Sequence, residues 1–526
     1  MASRIARIAS DIKTLFRVRG VGSPVCDTIL LFSIALLLYS AFVSSSFNEG
    51  DSYNFAKGLR EVDLAAERPH SPGYPVYMFF GRILFSVTHD ELTALRWISV
   101  ISGSLTLIPL YYLTKALYDR KTAFLTCLAL MILPGFWLPS EKATTDALAT
   151  FLLTLGVTML YFGSKGNSTA GLLSWIVYSF SIGVRPTHLA FVPLWLYGSL
   201  KRRDLKLLSF SICAFTVTTL MWVMPVVWVT RWDRFLIATR HVFVGTANTD
   251  FVFANPLGLD PLERFVFMVA AIYTFALGGM LPKITSFKFP FATSSIPTFY
   301  IAHDILLIGV LVCPILLSKR IVERRFVLLW IVPHFVFVYM FGSPIHHRYF
   351  LPIYPALTLL TVSSVVNLGI GGRLKSSRIN VGKIVSFTIT FLMVVTLLAH
   401  TMPLAAKLHT ELSPTTQLTR YVKEHYRPDR TTILVFHEYT SFEMYAREFR
   451  YYHCRKQILR TLQALKASSN DGHTTLMTST AYEYLLRHRS VIQLNVSKAE
   501  EFYLDPRAEI EDHRLTLYLV RTCRLS

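Results

Sequence analysis

About a dozen apolar stretches, each close to twenty residues long, recur along this 526-residue chain. They lie near residues 26–46, 92–117, 121–138, 143–163, 170–184, 187–200, 206–230, 263–282, 300–318, 325–342, 348–368 and 383–403. Crossing ~30 Å of hydrocarbon as a helix takes ~20 such residues, because only a helix or a closed barrel satisfies its own backbone there. The spacing therefore predicts an all-α polytopic membrane protein with about 11–13 transmembrane helices. The pair at 170–200 is short and should kink around Pro186; either 263–282 falls short of a full crossing or one crossing is missing from this set of runs.

Composition agrees. Charged residues make up 16% of the chain, where a soluble domain carries about 25%. The formal net charge of +20 would suggest nucleic acid in a soluble protein. Here the positives sit between apolar runs, so no nucleic-acid partner is expected, and the lipid bilayer is the partner instead. Arg120-Lys121, Lys201-Arg202-Arg203, Lys319-Arg320 with Arg324-Arg325, and Arg373-Lys375-Arg378 mark one face as cytoplasmic. Strict alternation of twelve spans would put the 319–325 cluster on the other side, and the charge rule is followed in preference. The basic segment 1–25 is then cytoplasmic, and 26–403 forms the membrane domain, with a long external loop at 47–91.

From 404 the composition changes to 18 Lys/Arg and 14 Asp/Glu over 123 residues. Ser413-Pro414 opens a helix as cap and first position. A strand at 433–436, another at 474–478, a helix at 479–488 and a closing run at 515–520 predict a small C-terminal α/β soluble domain, 404–526, outside the cytoplasm. Cys454 and Cys523 lie in this tail; whether they pair is left open, and no cysteine spacing suggests zinc.

Candidate chemistry gathers in the external loops. The first reads Glu49-Gly50-Asp51 directly after the first span, continues as an amphipathic stretch at 51–65 expected to lie in the membrane interface, and turns through Pro69-His70-Ser71-Pro72-Gly73-Tyr74-Pro75 into a second amphipathic run at 74–88. The second loop carries Glu141 and, at a span entrance, Asp146. The third carries Arg185. The fourth reads His346-His347-Arg348-Tyr349. Each has a plainer role as well. Asp51 and Asp146 suit helix caps, His70 a structural turn, Arg185 a snorkelling side chain, and Arg348 with Tyr349 an interfacial anchor. Together they offer a base for a hydroxyl and guanidinium groups for a phosphate leaving group.

The order of these segments, with "PHSPGYP" at 69–75 and "HRYFLPIYPAL" at 347–357, resembles the GT-C fold integral-membrane glycosyltransferases. The likeness is to the protein-O-mannosyltransferase and aminoarabinose-transferase branch, glycosyltransferase family 39-like, over about residues 26–370. That resemblance implies a polyprenyl-phosphate-linked sugar as donor and a protein, lipid or glycan hydroxyl as acceptor. It implies a hexosyl or pentosyl transfer with inversion and Asp51 as general base. Glu49, His70, Tyr74, Glu141, Asp146, Arg185, His346, His347, Arg348 and Tyr349 would bind substrate. Many members carry Asp-Glu at the first motif, where this chain has Asp51-Ser52. Some members use a divalent metal; none is predicted here, and no nucleotide-binding signature is present. The membrane would be a cell inner or plasma membrane, or the endoplasmic reticulum in a eukaryote. A secondary transporter, or a lipid-handling membrane protein without transferase activity, is the alternative.

Overall fold

The computed structural model describes residues 23–48, 50–249, 251–254, 260–279, 323–342, 346–371, 381–467, 473–488, 492–505, 507 and 514–525. The basic N-terminus, Glu49, the 300–318 run and the clusters at 319–320 and 373–378 lie outside them. By contacts the chain divides into two units: Met1–Val43 with Ser71–Ala405, and Ser44–His70 with Ala406–Ser526.

The first unit is helical. Among the described residues seven helices are long and apolar enough to cross a membrane, or eight if Arg120–Ile132 and Pro134–Ser140, bent by 72° at Pro134, form one broken span. Proline there supplies no N–H to continue the ladder, which is why the helix breaks. Asp119, Asn167 and Asp204 cap the helices that follow them, each supplying a side-chain oxygen to an otherwise orphaned N–H. Glu91–Leu117 is central and mostly buried, while Leu205–Thr230 turns almost all of its apolar surface outward, as a lipid-facing helix does. Asp146–Ser164 and Ser168–Val184 form a tight hairpin. At Gly163 a Cβ would come within 2.5 Å of the Gly171 Cα, so only glycine permits this approach.

The weak runs are short or broken among the described residues. Residues 187–200 become a 3-10 turn, Pro186–Phe191, and a nine-residue helix, Val192–Leu200. Residues 263–282 yield an 11-residue helix, Pro261–Ala271, that ends in a π-turn, Ile272–Ala276. One segment differs. The stretch 231–262, expected as a loop, contains the 18-residue helix Trp232–Thr249. Its polar residues had masked the helical period.

Glu323 directly precedes the helix Arg324–Phe341. Glu323 accepts hydrogen bonds from Lys165 (2.8 Å) and Lys201 (2.7 Å), so the start of this helix shares one end of the bundle with the basic connectors. Opposing charge outweighs burial here, and both lysines hold the Glu323 carboxyl below the usual range.

The second unit is built on a five-stranded sheet in the order β2-β1-β3-β5-β4. The strands are β1 Thr431–Val435, β2 Arg450–His453, β3 Thr474–Thr478, β4 Ile492–Tyr503 and β5 Arg514–Leu525. The first three are parallel, and β5 runs antiparallel to both β3 and β4. Helices cover both faces. Ile433, Val435 and Leu476 pack with Leu418, Val422 and Phe442 on one side. Leu434 and Met477 pack with Leu465, Ala481 and Leu485 on the other. Cys454 is buried here as a free thiol, which burial pushes up to about 12.

The stretch 51–65, expected to lie in the membrane interface, groups with this unit by contacts. Helix Gly50–Arg60 buries every residue from Ser52 to Leu59. Tyr53 packs on Phe47 and Tyr445 and hydrogen-bonds Thr416 at 3.1 Å. Its apolar face is therefore matched by protein, and amphipathicity alone does not say which apolar partner covers it. The second run, helix Pro75–Thr88, belongs to the first unit and leaves Phe79, Phe80, Ile83 and Val87 exposed, as an interfacial helix would.

Candidate active site

The sequence-derived residues fall into two groups. Tyr74, Glu141, Asp146, Arg185, His346, His347, Arg348 and Tyr349 lie in the first unit, and Asp51 and His70 in the second. Glu49 lies outside the described residues.

In the first unit Asp146 opens a 19-residue helix that ends at Ser164, about 28 Å away at 1.5 Å per residue, beside the Lys165–Glu323 pair. Asp146 thus sits at the end opposite the basic connectors. It is the first helical residue, not the cap; Thr145 occupies the cap position and makes no side-chain cap bond. The Asp146 carboxylate instead accepts a hydrogen bond from the Arg185 guanidinium, at the C-terminal end of Ser168–Val184. Their side chains are 2% and 11% exposed. Arg185 therefore does not snorkel. Its Cζ lies 5.0 Å from the centre of the Tyr349 ring, and the Cζ of Arg348 lies 5.6 Å from the same ring. One aromatic ring faces two guanidinium groups, an attraction that strengthens as water is excluded.

The 3-10 turn His347–Ile353 is held from below. His334 Nε2 donates to the Tyr349 carbonyl at 2.8 Å, Trp330 Nε1 donates to Pro352 O at 3.1 Å, and Tyr354 Oη donates to His347 O at 3.0 Å. His347 stacks on Phe275, and His346 contacts Tyr349 edge-on. His334 itself stacks on Phe191 and lies 6.1 Å, ring centre to centre, from the buried His188, whose Nδ1 bonds Ser181. Sequence reasoning placed neither histidine at the site. For His334 the available signal was an imidazole inside an apolar span.

Glu141 stands apart from that cluster. It is fully buried, takes the Trp137 indole N–H on one oxygen, and has no partner on the other among the described residues. Burial pushes its carboxyl well above the usual range, against the Trp137 hydrogen bond and the Lys142 charge. Tyr74 sits at φ 45°, the N-cap position of Pro75–Thr88.

In the second unit His70 Nε2 lies 3.7 Å from Asp51 Oδ1. Asp51 occupies the first turn of Gly50–Arg60 and keeps 42% of its side chain exposed, while His70 rests against the Phe55 ring. The Pro-rich turn, with cis bonds at Arg68-Pro69 and Ser71-Pro72, brings His70 back to the head of the helix. An exposed carboxylate beside an imidazole is suited to accepting a proton. Among the described residues no group of three or more His, Cys, Asp or Glu is arranged to hold a metal ion.

This arrangement has counterparts. Residues 68–229 match the family described as dolichyl-phosphate-mannose-protein mannosyltransferase. The crystal structure of ArnT from Cupriavidus metallidurans bound to undecaprenyl phosphate superposes with a TM-score of 0.54 at 11% identity, covering 93% of this chain and 97% of that one. The Archaeoglobus fulgidus oligosaccharyltransferase, in its apo form, superposes with a TM-score of 0.53 at 12% identity, covering 86% of this chain and 69% of that one. This chain has the GT-C fold. The same archaeal enzyme in complex with an inhibitory peptide and a dolichol-phosphate gives a TM-score of 0.52 at 12% identity, with the same coverage. No curated protein sequence matches the chain.

Proposed function

We propose that this chain moves a sugar from a polyprenyl-phosphate donor to a hydroxyl on a protein, lipid or glycan acceptor on the extracytoplasmic side, with inversion at the anomeric carbon. Asp51 is the general base. Its carboxylate takes the proton of the acceptor hydroxyl as that oxygen bonds to the anomeric carbon. The bond from that carbon to the phosphate oxygen breaks, and polyprenyl phosphate leaves with the electron pair. His70 orients the carboxylate.

The observation that carries this reading is the exposed Asp51 carboxylate with His70 at 3.7 Å, on the helix that follows the first span. Supporting it are the paired guanidinium groups of Arg185 and Arg348 on Tyr349, which suit a phosphate dianion because Arg presents planar forks of N–H donors. Asp146 takes up one part of the Arg185 fork and aims the rest. The lipid phosphates bound by ArnT and by the archaeal oligosaccharyltransferase support a lipid-phosphate donor. On this reading the N-terminus is cytoplasmic and the C-terminal domain extracytoplasmic.

The test is transfer by purified protein in proteoliposomes from defined polyprenyl-phosphate hexoses and pentoses, read by mass spectrometry of hydroxyl acceptors. Arg348→Ala should raise the donor KM. A protein that moves no sugar from any such donor, yet carries solute across the same liposomes, would replace this reading with the transporter.

A further inference from the structure

The helix that carries Asp51 and the turn that carries His70 are tied to the C-terminal domain through a single carboxylate. Glu443, on the short helix Tyr439–Tyr445, accepts a hydrogen bond from Lys57 Nζ on Oε2 at 2.8 Å and from an Arg68 Nη on Oε1 at 2.7 Å. Lys57 lies six residues after Asp51 on the same helix, and Arg68 lies two residues before His70. The Lys57 side chain is 7% exposed and that of Glu443 17%. Arg68 also donates to Glu61 at 2.8 Å, and its backbone closes the turn through paired bonds with Asp63. Burial raises the Glu443 carboxyl, but the two cations outweigh it and leave the group below its ordinary range, so it is charged at neutral pH. A buried ammonium at Lys57 is costly unless paired, and its partner comes from a segment almost four hundred residues away.

We propose that Glu443 is a positioning residue: its two oxygens hold Lys57 and Arg68 and thereby fix His70 against Asp51, so that the C-terminal domain sets the geometry of the transfer step. This rests on the reading of Asp51 as the base. It gives the soluble domain a task at the reacting centre besides any part in acceptor choice.

The test uses the full-length protein in nanodiscs, with Glu443→Gln, which keeps the volume but removes the charge, and Lys57→Met, which keeps the apolar stem. Both should lower kcat by about a hundredfold, the cost of a displacement near 1 Å at a catalytic group, with the donor KM unchanged. Both should also speed tryptic cleavage after Arg60, while Asp51→Asn leaves cleavage at the wild-type rate. Wild-type kcat and cleavage in both variants would overturn the proposal. So would a parallel loss of kcat, donor affinity and thermal stability, which marks a purely structural pair. If the wild type transfers no sugar, the sugar-transfer reading fails by itself, and cleavage alone decides whether the carboxylate holds the loop.

Discussion

Asp146 and Arg185 form a buried ion pair at one end of the helical bundle, joining the first turn of one helix to the last of the next. Two charges are withdrawn from water together, and each offsets part of the other's desolvation. The pair fixes the direction of the guanidinium, and so the geometry of the Tyr349 ring it faces.

Breaking the pair from one side should be worse than removing both. Asp146→Ala leaves a buried cation and should cost about 3–5 kcal/mol, as should Arg185→Ala. The double variant should be less destabilised than the sum of the two. Thermal unfolding in one detergent measures all three, and strict additivity would mean that the groups do not interact.

Tyr349 should act through its ring and not its hydroxyl. Tyr349→Phe keeps the surface that both guanidinium groups face and should leave donor binding near wild type. Tyr349→Leu removes it, with a loss of about 0.5–2 kcal/mol per cation contact. A donor titration that finds the two variants equal would show that the ring contact is incidental.

Acid should weaken the C-terminal unit in two stages. His453 is held neutral by burial, with nearby Lys456 adding to the effect, and its pKa falls from 6.5 to about 4. The unfolded chain therefore takes up a proton first, so stability present above pH 6.5 is lost as pH drops toward 4. Below about 4.5 the Glu443 carboxylate adds to the loss, since the folded state binds its proton less readily than the unfolded one. His453→Asn should flatten the upper stage and leave the lower. Melting temperatures from pH 7 to 4 would show this, and an unchanged upper slope would dismiss His453 as its source.

The core of the α/β unit should behave as a packed interior. Ile433 and Leu485 are fully buried on opposite faces of the sheet, and truncation of either to Ala should cost about 2–5 kcal/mol. A cost below 1 kcal/mol for both, measured by denaturation, would mean that the sheet is not packed as described.

What the sequence disclosed follows from what leaves a local trace. Span length, the kink at Pro186 and the cap at Ser413 are written in consecutive residues. So are β3 and the helix Ser479–His488, which stand at the predicted boundaries. Strands β2 and β4 were not foreseen, because Arg450–His453 and Ile492–Tyr503 mix polar residues into patterns that pairing alone turns into strands. The external motifs flagged Asp146, Arg185, Arg348 and Tyr349, which do converge. Their pairing is non-local, so the ion pair that replaced a helix cap was not legible. Nor was Glu443, since nothing near it in sequence hints at Lys57 or Arg68. Nor was the protein surface that buries Ser52 to Leu59 of helix Gly50–Arg60: an apolar face announces that it will be covered, not by what.

The central claim is that Asp51 removes the acceptor proton. The most direct measurement compares wild type with Asp51→Asn in one proteoliposome preparation, recording turnover from a polyprenyl-phosphate sugar and donor binding side by side. General-base assistance accounts for about 10²–10⁴ in rate, so the variant should bind donor as the wild type does and turn over slower by at least the lower figure. Equal turnover in the two proteins would contradict the account.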